Sequence, residues 1–145
     1  MNWIEKRVRD EQFLAATAVR QWNYLRMAVI DVVRSYQAHY GSEQGKFTAE
    51  AKGEYLLVSW EPSTPRTPAR EPSTYQFSMN LARRTVFVML FGLPNDEKAK
   101  LTFGIPDGQN FSWTSGINPV SEDEATRILT ERILFPPSPS ATWPV

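Results

Sequence analysis

The sequence predicts an α+β protein with a long N-terminal helix, a six-stranded antiparallel meander sheet and a C-terminal helix, the helices packed on one face of the sheet. Apolar residues recur every three or four positions before Gly41, alternate after Gly45, and return to helical spacing after Ser121. These are the periods of an amphipathic helix and of a half-buried strand. Tight turns between the alternating runs favour antiparallel strands in chain order.

The N-terminal helix is predicted from Asn2 to Tyr40, a stretch without Gly or Pro. Some 36 residues at 1.5 Å each reach roughly 54 Å, whereas a compact domain of this size is about 38 Å across. We therefore expect the helix either to break in its first half or to project, with Trp3, Ile4 and Val8 at the free end. Its apolar stripe comprises Ile4, Val8, Ala15, Ala18, Trp22, Leu25, Val29, Val32 and Tyr36.

Turn and helix-capping residues divide the remainder of the chain into its predicted elements. Lys52–Gly53 and Pro106–Gly108 are turn signals, and Ser121 with Glu124 is a capping box that starts the C-terminal helix. We expect a single α+β domain over residues 1–135 and a Pro/Ser-rich C-terminal tail over 136–145. The six predicted strands cover residues 47–51, 54–60, 75–81, 85–91, 98–105 and 111–113.

Composition excludes several function classes. The chain has 145 residues, a formal net charge of zero and no cysteine, which excludes disulfides and Cys-ligated metals. A balanced charge makes nucleic-acid binding unfavourable. No run approaches the ~18 apolar residues that a spanning helix needs, so we expect no membrane insertion. The prediction is a soluble, cytoplasmic protein.

The segment 61–74, "EPSTPRTPAREPST", contains four prolines and cannot belong to a strand ladder. Its residues Pro65, Pro68 and Arg70 form a P-x-x-P-x-R pattern, which resembles the ligand motif of SH3 domains. Two interpretations remain open. The segment is a connector between the second and third strands, or it is a docking loop for a protein partner.

The fourth predicted strand is apolar on both faces. Val86 and Val88 lie on one face, and Phe87, Met89 and Phe91 lie on the other. A sheet with one solvated face normally alternates, so we expect something to cover the second face. The candidates are a second copy of the chain, the chain's own tail, or an apolar ligand.

Two sets of residues follow from these alternatives. Self-association would use Phe87, Met89, Phe91 and Trp3. A ligand pocket between the sheet and the long helix would be lined by Trp22, Tyr75, Phe87 and Met89.

Catalytic residues are scarce. His39 is the only histidine and lies at the predicted C-terminus of the first helix, where a cation is favoured. Glu50 and Glu54 flank a turn, which solvated charges explain equally well. No G-x-G-x-x-G, Walker A, H-E-x-x-H or EF-hand motif is present, and we expect no metal and no cofactor. The sequence therefore favours a non-catalytic, self-associating interaction protein, adaptor- or chaperone-like. The alternative is a small apolar-ligand-binding protein or a small enzyme.

Overall fold

A computed structural model describes residues 2–63, 71–91 and 97–136. One antiparallel sheet has its seven strands in chain order, between two helices. This confirms the predicted α+β class, with seven strands in place of six. The elements are α1 (Trp3–Tyr40), β1 (Gly45–Lys52), β2 (Tyr55–Pro62), β3 (Ser73–Asn80), β4 (Thr85–Leu90), β5 (Glu97–Gly104), β6 (Ser112–Ser115), β7 (Asn118–Val120) and α2 (Glu122–Leu134).

The additional strand, β7, carries almost no sequence signal. It has three residues, one of which is Pro119. A turn at Gly116, whose φ is +63°, places Ser115 opposite Asn118. Positive φ is the conformation that glycine tolerates best. So short a strand cannot show an alternating pattern, and only its pairing with β6 reveals it.

Helix α1 is unbroken over 38 residues, a length of about 57 Å. The Asn2 side chain accepts a hydrogen bond from the Glu5 amide at 2.8 Å and caps its N-terminus. Burial begins only at Leu14. Trp3, Ile4 and Val8 are exposed, so the helix projects at its N-terminal end instead of breaking.

The core lies between the helices and one face of the sheet. α1 packs on β1, α2 packs on β5, and the helices contact each other. Alternation turns Phe77, Val86, Val88 and Leu101 toward the helices, where they are fully buried. The opposite, outer face carries Tyr55 and Leu57 of β2, Gln76 and Ser78 of β3, and Phe87 and Met89 of β4.

Helix α2 begins at the predicted cap. The Ser121 hydroxyl accepts from the Glu124 amide at 3.1 Å. The Glu124 carboxylate pairs with Arg127 at 2.8 Å, so only one of the two capping-box bonds is seen. Within the described ranges, neither helix combines the length and the apolar character needed to cross a membrane.

Candidate ligand-binding cleft

The sheet has a gap beside the last residues of β3, because the antiparallel pairing with β2 does not extend to them. The pairing of β2 with β3 reaches only Leu56 and Phe77, whereas β3 continues to pair with β4 as far as Asn80 and Thr85. The residues from Ser78 to Asn80 therefore continue beyond the paired part of β2. We call the space between this end of β3 and the β1–β2 turn the notch cleft.

The notch cleft is a cavity of about 620 Å³, within the range of small-molecule sites. Helix α1 and the β1–β2 turn form one side, and the ends of β3 and β4 form the other. Most of its wall is apolar. The large apolar side chains that line it are Val19, Trp22, Met79, Leu81, Phe87 and Met89.

Ser78 is the buried polar residue of the notch cleft. It lies on the outer face directly opposite Phe87, and only 6% of its surface is exposed. Among the residues that the structure describes, its Oγ has no hydrogen-bond partner. Since buried hydroxyls are normally bonded, Ser78 brings an unused donor and acceptor to the residues that line the cavity.

Arg26 supplies the positive charge of the notch cleft. Its Nη1 donates to the carbonyl oxygens of Gly53 at 2.7 Å and Tyr55 at 3.3 Å, and its Nη2 donates to Asn23 Oδ1. All three acceptors are neutral, so none of these bonds cancels the charge. The Nε atom is buried and, within the described ranges, has no acceptor.

Trp22 holds the wall in place. Its indole nitrogen donates to the carbonyl oxygen of Glu54 at 2.9 Å, and the Arg26 guanidinium lies 5.9 Å from the centre of its ring. These contacts tie α1 to the β1–β2 turn. The shape of the cavity is therefore set by side-chain bonds between two elements that are distant in sequence.

Three of the four residues predicted to line a pocket meet here. Trp22, Phe87 and Met89 all line the notch cleft. Tyr75 is not among the residues that line the notch cleft. It is 8% exposed and lies on the core face with Phe77, because positions two apart on a strand share a face.

The other predicted residues lie elsewhere. Phe91 follows β4 and is 58% exposed; its amide donates to Thr74 at 2.8 Å, and it lies outside the lining of the notch cleft. Trp3 is 74% exposed, about 28 Å along α1 from Trp22. Pro65, Pro68 and Arg70 lie outside the described residues, as does the predicted tail after residue 136.

The prediction that segment 61–74 cannot belong to a strand ladder is wrong at both ends. Glu61 and Pro62 pair with β1, and Ser73 and Thr74 pair with β2, because the last residues of β2 and the first of β3 extend into the segment.

Among the described residues that line the notch cleft there is no histidine, lysine or cysteine. His39, the only histidine of the chain, is at the C-terminal end of α1 and does not line the cavity. Glu54 is the one carboxylate among the lining residues, and it is exposed. Nowhere in the described ranges do three His, Asp or Glu side chains converge as metal ligands would. The arrangement can bind through hydrogen bonds, charge and apolar contact.

Sequence reasoning missed Ser78 and Arg26. Ser78 occupies an ordinary outward position of an alternating strand, and nothing local indicates that Phe87 lies opposite it. Arg26 offers a weak signal, because it lies one turn after the buried Trp22 and next to Leu25. A cation beside a buried stripe needs acceptors, and the β1–β2 turn provides them.

Comparisons with known proteins add no identity: no protein-family model, no curated protein and no solved structure matches this chain.

Proposed function

We propose that this protein is a non-catalytic binding protein that holds a small amphiphile in the notch cleft. The observation that supports this proposal is the unpaired, buried hydroxyl of Ser78 in the wall of a cavity of about 620 Å³. Leaving such a group unsatisfied costs about 1–3 kcal/mol. A ligand that supplies its partner recovers that free energy on binding.

The walls define the chemistry of the ligand. Met79, Phe87 and Met89 suit an apolar body, since thioethers and aromatic rings adapt to varied shapes. The Arg26 guanidinium donates to neutral acceptors in the described ranges, and we infer that it favours an anionic or strongly accepting group over a cation. The expected ligand therefore has an acyl or aromatic body and one carboxylate, sulfonate or similar head.

Titration with defined probes tests the proposal. Laurate and anilinonaphthalene sulfonate carry apolar bodies and anionic heads, and dodecanol and dodecylamine are the neutral and cationic counterparts of laurate. We expect one equivalent of laurate to bind by native mass spectrometry and calorimetry, more tightly than dodecanol. Dodecylamine should bind least. Equal binding of all three would contradict a role for Arg26, and no binding of any would contradict the function.

Substitutions in the cavity sharpen the test. Ser78→Leu fills the notch cleft and should weaken laurate and dye binding by at least about tenfold. Ser112→Leu adds the same side chain to the outer face of β6, away from the cavity, and should leave binding unchanged. Arg26→Met should reduce the ratio of the affinity for laurate to the affinity for dodecanol. Retention of full affinity in Ser78→Leu would place the binding elsewhere.

Self-association is the second candidate function, and exposed apolar side chains favour it. Phe91 and Trp3 are more than half exposed, and exposed apolar patches often mark interfaces. A charged residue at Phe91 tests association through the outer sheet face without altering the notch cleft. Docking through residues 61–74 and a cytoplasmic location stay predictions from the sequence.

A further inference from the structure

A second stripe of large apolar residues runs along α1, and it is exposed. Trp3, Phe13, Tyr24 and Met27 are 74%, 45%, 50% and 62% exposed. They occupy four of the ten positions that alternate spacings of three and four between Trp3 and Arg34, and the other six positions are polar. The residues that the core buries on α1, from Leu14 to Val33, follow a different stripe.

Charged residues continue the exposed stripe at the same spacing. Lys6, Arg20, Asp31 and Arg34 are all exposed. Asp10 and Thr17 complete the repeat, half-buried at its border. Because the stripe's exposed members face away from the sheet, another helix can approach along them without meeting it. The polar and apolar positions together form one continuous surface, which we call the outer seam.

The outer seam is complementary to itself when two copies run antiparallel. With residue numbers summing to 37 across the pair, Phe13 lies opposite Tyr24 of the partner subunit and Lys6 lies opposite Asp31 of the partner subunit. Trp3 then lies opposite Arg34 of the partner subunit, and a guanidinium attracts an indole ring. The same register places Met27 opposite Asp10 of the partner subunit and Thr17 opposite Arg20 of the partner subunit. Two-fold symmetry makes each of these contacts twice.

A further acidic feature borders the same contact. Glu122 and Asp123, in the first turn of α2, line a groove with Tyr24, Met27 and Asp31. In the antiparallel pairing, this groove faces the N-terminal turns of the other α1, where Lys6 and Arg9 are exposed. The acidic residues of α2 in one subunit are therefore near the basic residues of α1 in the other, in addition to the Lys6–Asp31 pairs.

We propose that the protein forms an antiparallel homodimer through the outer seam of α1. The paired segment, residues 3 to 34, extends over about 48 Å. Aromatic side chains bury ~150–250 Å² each when fully covered. The contact would bury the exposed parts of these apolar residues in both subunits, together with the charged side chains between them. The total buried area is then near the ~1,000 Å² of a specific interface. The overhang of α1 is then covered by the partner.

A charge exchange tests the pairing directly. Lys6 and Asp31 lie about 38 Å apart on one helix, so they can meet only between subunits. In light scattering and sedimentation over a dilution series of the full chain, Lys6→Glu and Asp31→Lys should each raise the dimer Kd about tenfold, because every dimer contains two such pairs. The double variant should return to within about threefold of the wild type. Lys46→Glu, at an exposed position of β1, is the matched control and should leave the dimer Kd unchanged.

Spin labels can test whether the two α1 helices run antiparallel. Each label attaches to one introduced cysteine, because the chain has no native cysteine. The labelled positions, Ala16 and Ala38, are both exposed on α1. Labels at Ala16→Cys should lie close together across the two-fold axis, and labels at Ala38→Cys should lie about 58 Å apart along the helices. Short distances at both positions would indicate parallel helices and overturn the proposal. A monomer at every concentration, or a dimer that only a charge at Phe91 disrupts, would also overturn it.

Discussion

Replacement of Ser78 by alanine should stabilise the protein and weaken its ligand binding at the same time. Only 6% of the surface of Ser78 is exposed, and its Oγ is buried and has no hydrogen-bond partner within the described ranges. Alanine keeps the β-carbon of serine and lacks only the hydroxyl oxygen. The substitution therefore removes a desolvation cost without breaking a bond or opening a cavity.

The magnitude follows from the cost of an unmade bond. A buried polar group without a partner costs about 1–3 kcal/mol, so Ser78→Ala should raise the free energy of unfolding by ~1 kcal/mol or more. For a chain of 145 residues, each kcal/mol corresponds to ~2–4 °C in Tm. A ligand that pairs with this hydroxyl recovers the same ~1–3 kcal/mol, so its loss in Ser78→Ala should weaken laurate binding roughly five- to 150-fold.

Urea denaturation and calorimetric melting of the ligand-free protein measure the first effect. Ser59→Ala is the matched control, because Ser59 lies on the same outer face and its Oγ is hydrogen bonded to Thr74 Oγ1 at 3.1 Å. That control should lose about 0.5–1.5 kcal/mol, since it breaks a bond that exists. The two serine substitutions should therefore move the urea midpoint in opposite directions.

Destabilisation of Ser78→Ala by ~1 kcal/mol or more would refute the reasoning. It would mean that the hydroxyl is bonded, for example to an ordered water, and that the cavity offers no unused donor. A stabilised variant that binds laurate as tightly as the wild type would retain the energetic argument but remove Ser78 from the ligand contact.

Three further predictions concern the fold. Gly45→Ala should lose about 1–3 kcal/mol in urea denaturation, because an added Cβ would lie 2.3 Å from the Trp60 ring and 2.7 Å from a backbone oxygen; an unchanged urea midpoint would contradict this. Phe77→Ala, at a fully buried central position, should cost about 3–5 kcal/mol, and a loss below ~1 kcal/mol would show that the core collapses around it. The pKa of Asp107 is lowered to about 2 by the amides of Asn110 and Gln109 and by the Asn110 side chain. Because this pKa is below the unfolded value of 3.8, the ionised carboxylate stabilises the folded state above pH 3.8, and this stabilisation is lost as the pH falls toward 2. Asp107→Asn should therefore reduce the loss of stability between about pH 4 and pH 2, measured in acid titrations followed by circular dichroism. Identical acid profiles of the two proteins would contradict the assignment.

Local patterns were sufficient for the elements whose signals are local. The helical spacing before Gly41 and the cap at Ser121 predicted both helices, because helix periodicity and capping depend on residues three and four apart. The turn at Gly53, where φ is +58°, was equally readable. Pro119 concealed β7, since proline rarely marks a strand and three residues cannot display alternation.

By itself, the sequence determined the fold class, the long helix and the alternation of most strands. It could not determine which face of β4 meets the core, because both faces are apolar and periodicity does not distinguish two equally apolar sides. Only the tertiary structure turned Val86 and Val88 inward, left Phe87 and Met89 on the outer face, and buried Ser78 beside them. The burial of a residue and the bonds of its polar atoms depend on neighbours far away in the chain, so the candidate site became visible only when the strands were paired.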